Sequence, residues 1–149
     1  MIPDVDVIGF RFGIHYGDFR GHRGFTHSLT FAALLATLVA AAIVQFQTEV
    51  SRVSLFFYIF LATASHGLLD AMTNGGLGVA FFSPFDNSRY FLPWRPILVS
   101  PIGVTRFFSY RGLAVLKTEI IWIWLPSMLA IAIVMLSRRH SGEADISAR

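Results

Sequence analysis

Apolar residues fall in long uninterrupted blocks along this chain, not at the spacing of a soluble core. Residues 29–46 are Leu, Ala, Val, Ile and Phe, broken only by Thr30, Thr37 and Gln45. With Thr26 and His27 counted, about 20 residues are available, enough for one helix to cross a hydrocarbon core. The many Ala residues predict close helix packing. Residues 47–52 read as a polar turn. Residues 53–72 form a second run, whose last part carries Ser65, His66 and Asp70. A third run, 120–136, is led by Trp122 and Trp124, and Pro126 inside it predicts a kink. Arg138 and Arg139 close that run. The pattern predicts an all-α integral membrane protein, a bundle of about three transmembrane helices.

The remaining segments are of other kinds. Residues 1–25 form a loop in which Gly9, Gly13, Gly17, Gly21 and Gly24 recur, a density that favours turns over helix. Asp4 and Asp6 lie in it as alternate residues, which point the same way if the backbone is extended. Residues 73–117 are a long connection. Its stretch from Ser83 to Pro96 mixes aromatics, Pro and Arg, the composition of an interfacial loop at headgroup level. Residues 100–112 hold an amphipathic piece with Arg106 and Arg111. One membrane-embedded domain over 1–140 is expected, followed by a polar, disordered tail at 141–149.

Composition supports the membrane assignment. The chain is 54% hydrophobic and only 14% charged, against roughly a quarter charged in soluble domains. The absence of Cys excludes disulfides and thiolate ligands, so any metal is held by nitrogen and oxygen. The net charge of +3 comes from Arg residues near apolar ends, which suits lipid headgroups and not nucleic acid. The first residues do not read as a cleavable signal peptide. With three spans, Arg11, Arg20, Arg23, Arg89, Arg95, Arg106, Arg111 and Lys117 fall on one side, which places that side in the cytoplasm.

The candidate chemistry lies at two short motifs. His66 and Asp70 are four residues apart, so on a helix they share a face and can chelate one ion. A polar pair bonded to a neighbouring helix has the same spacing, but ionisable groups inside a span are costly and commonly functional. His22 and His27 precede the first run, where they also read as interfacial residues beside an N-cap at Thr26 or Ser28. If the first two runs are antiparallel helices joined by a tight turn, His27 comes level with Asp70. Asp4 and Asp6 add oxygen ligands or orient an imidazole from behind. Arg23 is placed to steady negative charge in an ester-cleaving transition state, as is Arg95; a headgroup anchor or a salt bridge to Asp4 or Asp6 explains Arg23 equally well. His15 and His140 fall outside both motifs.

Pro3-Asp4-Val-Asp6, His22-Arg-Gly-Phe-Thr-His27-Ser28 and Ser65-His66-Gly-Leu-Leu-Asp70, with Thr73 and Gly76, resemble the membrane-bound predicted metal-dependent hydrolases, the YdjM-like, LexA-regulated inner-membrane proteins. The likeness runs from Pro3 to about Pro96, with Asp86 where a small hydroxyl residue is expected. It implies a bundle of membrane helices in a bacterial inner membrane with a bound divalent metal, zinc by preference. Asp4 or Asp6, His22, His27, His66 and Asp70 are the implied ligands; Arg23 and Asp6 are the candidate catalytic residues on their own chemistry. A distant similarity to zinc-dependent phospholipase C implies phosphoester chemistry on a lipid or other small substrate. Relatives of this kind carry a further His-bearing helix before the Pro-Asp-x-Asp block, so an N-terminally shortened chain lacking that first helix is expected, with an apolar groove left open. Two rival expectations remain: a small, oligomeric transport or permeation protein using His66 and Asp70, and a non-catalytic membrane protein clamped by a structural metal.

Overall fold

The computed structural model describes residues 2–46, 50–102 and 104–147, with side chains described as far as residue 138, that of residue 104 excepted. The described residues are helical with no strand, beyond one isolated antiparallel bridge between Val79 and Tyr90. They form two compact units, divided after Arg95.

The first unit is built on a helical hairpin. Helix α1 (Leu29–Val44) and helix α2 (Arg52–Ala71) pack along each other. Ala32, Ala36 and Ala40, spaced four apart on one face of α1, are buried, and their small side chains let the helices approach closely. Ser28 caps α1, its Oγ accepting from the Phe31 N–H at 3.0 Å. That cap sets the start of the helix and leaves Thr26 and His27 outside it, in a 3₁₀ turn (Phe25–His27). At 16 residues, α1 therefore rises about 24 Å, short of a 30 Å hydrocarbon core. Among the described residues, Arg52–Ala71 and Tyr110–Arg138 are long and apolar enough to cross a membrane, and Leu29–Val44 is a shorter apolar helix beside them.

The N-terminal segment is not the expected loop. Pro3–Phe12 is a 3₁₀ helix with Pro at its first turn, closed by Gly13 at φ 77°. Pro is pre-set for a first helical turn, and Gly takes the left-handed closing angle without strain. With three residues per turn, positions 4 and 6 project in different directions, so Asp4 and Asp6 do not point the same way.

The stretch after α2 does more than lie at an interface. Val79, Ala80 and Ser83 are buried. The Leu29 N–H at the start of α1 donates to the Phe81 carbonyl, and the Leu92 N–H donates to the Ala71 carbonyl at the end of α2. Backbone groups that helix ends leave without partners are thus satisfied by this connection.

In the second unit, a short α3 (Val104–Phe107) is followed by α4 (Tyr110–Glu119), a π turn (Ile120–Trp124) and α5 (Leu125–Ser147). In the π turn the Leu125 N–H reaches back to the Ile120 carbonyl. Pro126 removes the next N–H and crowds the Trp122 carbonyl, and the widened turn before it accommodates the ring within a continuing helix. The helix runs on to Ser147, so residues 141–147 are helical where a disordered tail was expected; no Pro interrupts that stretch.

Candidate metal centre

The hairpin brings the start of α1 beside the end of α2, and Gly67 determines how close they come. A Cβ on Gly67 would lie 2.9 Å from the His27 carbonyl oxygen. Without one, the 3₁₀ turn rests directly on α2, and His27 enters a cluster with His66, Asp70 and Asp4. One donor atom from each lies within 4.8 Å of all the others. His27 Nε2 stands 3.2 Å from Asp70 Oδ2 and 3.5 Å from Asp4 Oδ1. His66 Nε2 stands 3.2 Å from Asp4 Oδ1 and 3.8 Å from Asp70 Oδ2.

Asp6 and His22 occupy a second position. Asp6 accepts from the Thr26 hydroxyl at 2.6 Å and from the Arg23 N–H at 3.3 Å. It also faces His22 Nδ1 at 2.8 Å and His27 Nδ1 at 3.2 Å. His27 thus has one ring nitrogen toward Asp6 and the other toward Asp4 and Asp70. A carboxylate behind an imidazole fixes its tautomer and orientation. The six candidate ligands therefore fall into two groups, Asp4–His27–His66–Asp70 and Asp6–His22–His27, sharing His27.

Arg23 is buried, and its two terminal nitrogens are engaged while Nε has no hydrogen-bond partner among the described residues. Nη1 donates to Thr73 Oγ1 at 2.9 Å and to the Gly75 carbonyl at 3.0 Å, and Nη2 donates to Asp70 Oδ1 at 3.0 Å. That contact takes up one oxygen of Asp70 and leaves Oδ2 for the cluster. The backbone at Arg23 is left-handed, with φ 62°, which costs roughly 1–2 kcal/mol in a residue with a Cβ. Its N–H bond to Asp6 and the Ala80 N–H donating to its carbonyl hold it there. Gly76 makes room for the guanidinium, since a Cβ there would lie 3.0 Å from Arg23 Nη1.

Electrostatics follow from this crowding. Burial works against charge on Asp4, but His27 and His66 outweigh it and hold the carboxyl well below the usual range. Asp6 is likewise lowered against its burial, by His22, His27 and Thr26. Burial opposes charge on His27, yet the three surrounding carboxylates push its pKa up to about 10. His27 Nε2 and Asp70 Oδ2 are buried and face each other at 3.2 Å as an ion pair, and the same four donors, two imidazoles and two carboxylates, are of the kind that can hold a divalent ion.

Other residues matter in ways the sequence does not display. Arg89 donates from Nη1 to the His22 carbonyl at 2.9 Å and from Nη2 to the Tyr16 carbonyl at 2.9 Å, tying down the loop that carries His22. Nothing in its surroundings of aromatics and Pro marks it out from an interfacial arginine. Gly67 did carry a signal, because Gly inside a helix costs about 1 kcal/mol relative to Ala, and its missing side chain permits close approach. His15 lies away from both groups, exposed beside Asp18. Arg95 lies over the Phe91 ring at 4.8 Å. His140 is beyond the last described side chain.

Comparison with known proteins agrees with the membrane character. The family described as YdjM inner membrane protein matches residues 1–141. The chain belongs to that family. The chain is also 38% identical over 139 residues to the inner membrane protein YbcI of Escherichia coli (strain K12), an alignment covering 93% of this chain and 80% of YbcI. No solved structure matches. This YdjM-family chain is a bacterial inner-membrane protein, all-α in fold.

Proposed function

We propose that this chain is a membrane-bound, metal-dependent hydrolase acting on a phosphoester at the membrane surface. The observation that carries the reading is the convergence of His27 Nε2, His66 Nε2, Asp4 Oδ1 and Asp70 Oδ2, four donors brought within 4.8 Å of one another. Two imidazoles and two carboxylates crowded this closely need positive charge between them; a proton on His27 supplies it in the metal-free protein, and a divalent cation, zinc by preference, would take its place. A zinc ion bound there supplies Lewis acidity and makes water nucleophilic near neutral pH.

The chain's own residues prepare that chemistry. Asp6 holds the His27 ring from behind, so its contribution passes through His27. Arg23 fixes Asp70 and neutralises part of the local negative charge. Asp4, its side chain 37% exposed, is the open edge of the cluster and the side from which a substrate oxygen approaches. The likeness to zinc-dependent phospholipase C favours phosphorus over carbon as the attacked centre.

A second reading has an observation of its own. Four donors from the N-terminal 3₁₀ helix, the 3₁₀ turn and α2 are enough to close a tetrahedral shell, which is the mark of a structural zinc. The test is metal analysis and anomalous diffraction of the purified full chain, with a panel of phosphoesters assayed before and after chelation. Bound zinc with turnover that chelation removes and zinc restores is expected. Tightly held zinc with no turnover favours the structural clamp, and absence of metal after loading ends both readings.

A further inference from the structure

Residues 16–22 carry His22 to the metal centre, yet they belong to no helix, and residues 17–20 are exposed. Their own backbone closes only short turns, the Asp18 N–H donating to the His15 carbonyl and the Gly21 N–H to the Asp18 carbonyl. Among the described residues, no backbone N–H reaches the Tyr16 or the His22 carbonyl, and Arg89 supplies both. Its Nη1 donates to His22 at 2.9 Å, and its Nη2 to Tyr16 at 2.9 Å and to Asp18 at 3.2 Å. The guanidinium also lies over the Tyr16 ring, 5.7 Å from its centroid. That ring stands edge-on to His22, with 5.3 Å between centroids.

Arg89 is itself held. Val79 and Tyr90 exchange backbone hydrogen bonds at 2.9 Å and 3.0 Å, and the Ala80 N–H donates to the Arg23 carbonyl. The guanidinium therefore projects from a fixed backbone, and its planar fork spans separated carbonyls as a single ammonium cannot. What it fixes is the support behind a ligand. With the His22 carbonyl pinned, His22 Nδ1 meets Asp6 Oδ1 at 2.8 Å. Asp6 Oδ2 is then left for the Thr26 hydroxyl at 2.6 Å and His27 Nδ1 at 3.2 Å.

We propose that Arg89 is a positioning residue of the metal centre: it pins residues 16–22 so that His22 holds Asp6, and Asp6 holds His27, before any ion arrives. A support assembled in advance removes an ordering cost that binding would otherwise carry. The proposal deepens the hydrolase reading and rests on it only where zinc is the probe.

Two measurements on the full chain in detergent test it. The first uses no metal: diethyl pyrocarbonate acylates accessible imidazoles of the chelated protein, and adducts are mapped by mass spectrometry. His15, 88% exposed, is the fast reference, and His22 and His66, at 12% and 14%, should both react slowly. In Arg89→Gln, His22 should accelerate toward the rate of His15 while His66 stays slow. Equal acceleration of His66 would mean general loosening, and a slow His22 would mean that the loop stands without Arg89; either result overturns the proposal.

The second measurement is zinc affinity, read by competition with a chelating dye. Arg89→Gln should lower it about 10-fold at unchanged stoichiometry, the lower end of what the partners behind a metal-binding imidazole are worth. Asp6→Asn should then cost far less in the Arg89→Gln background than in the wild type, because both act through the same His27 ring. Losses that add in full overturn the proposal. Arg89→Lys keeps the charge without the fork and should resemble Arg89→Gln; wild-type behaviour of Arg89→Lys would assign the effect to charge alone and overturn it as well. A wild-type chain that takes up no zinc counts against the hydrolase reading, and the acylation pattern still decides the role of Arg89.

Discussion

Gly67 lies so near His27 that a Cβ added to it would stand 2.9 Å from the His27 carbonyl oxygen. That neighbour is backbone, which cannot swing away as a flexible side chain would. Gly67→Ala should force the 3₁₀ turn off α2, outweighing the helix propensity that Ala brings. Overpacking of this kind costs typically 1–3 kcal/mol. Thermal unfolding in detergent should show the loss, and zinc affinity should fall with it. An unchanged melting temperature with full zinc content would mean that the close approach does not position the centre.

His66→Ala and Asp70→Ala each remove one donor from the buried cluster while leaving the apolar span intact. Both variants should insert at normal levels and lose stoichiometric zinc after chelation and reloading. His15→Ala serves as control, because that side chain is 88% exposed and lies beside Asp18, away from the cluster. Retention of zinc by both cluster variants would remove the ligand assignment.

The meeting of His27, His66 and Asp70 was legible in the sequence because two apolar runs joined by a short turn can only pair antiparallel. His66 and Asp70 needed nothing beyond helical spacing. Asp4 and Asp6 were legible as participants, since carboxylates near imidazoles suit a metal, but their separate roles depend on a 3₁₀ helix that a Gly-rich sequence disguises. Their alternation suggested a common direction, and the three-residue turn sends them to different neighbours. Arg89 was not legible at all. It reaches the His22 carbonyl across 67 residues, a contact that closes only once the connection after α2 folds back onto the start of α1.

Zinc binding should tighten as pH rises. In the metal-free protein the carboxylates around His27 raise its pKa to about 10, so its ring carries a proton through the neutral range. A metal takes the neutral imidazole, and the displaced proton leaves to solvent. Calorimetric titration in buffers of different ionisation enthalpy should show net proton release between about pH 6 and pH 9. Binding that neither releases protons nor weakens toward acid would place the ion away from His27.

Orientation can be read with one cysteine. The chain has none of its own, and His15 is exposed on the loop before the cluster. The Arg-rich side is expected to be cytoplasmic. A His15→Cys chain should then react with a membrane-impermeant maleimide in inverted vesicles and resist it in intact spheroplasts. The opposite labelling pattern would put the centre on the periplasmic face.

Asp6 separates a ligand from a residue that holds one. Its two oxygens meet Thr26 Oγ1, the Arg23 N–H, His22 Nδ1 and His27 Nδ1, which leaves little of the carboxylate to face an ion beside Asp4. Asp6→Asn keeps the shape but puts an amide NH2 where a donor already points, and it removes the charge that fixes the His27 ring. Loss of such a supporting carboxylate typically costs about 10–100-fold in metal affinity. Zinc should therefore still bind Asp6→Asn at the same stoichiometry, with affinity reduced in that range. Asp4→Asn removes a donor and should lower affinity further. X-ray absorption on the two variants distinguishes them, because the first shell should be unchanged in Asp6→Asn and altered in Asp4→Asn. If Asp6→Asn alters the first shell, the ion lies in the Asp6–His22–His27 group instead.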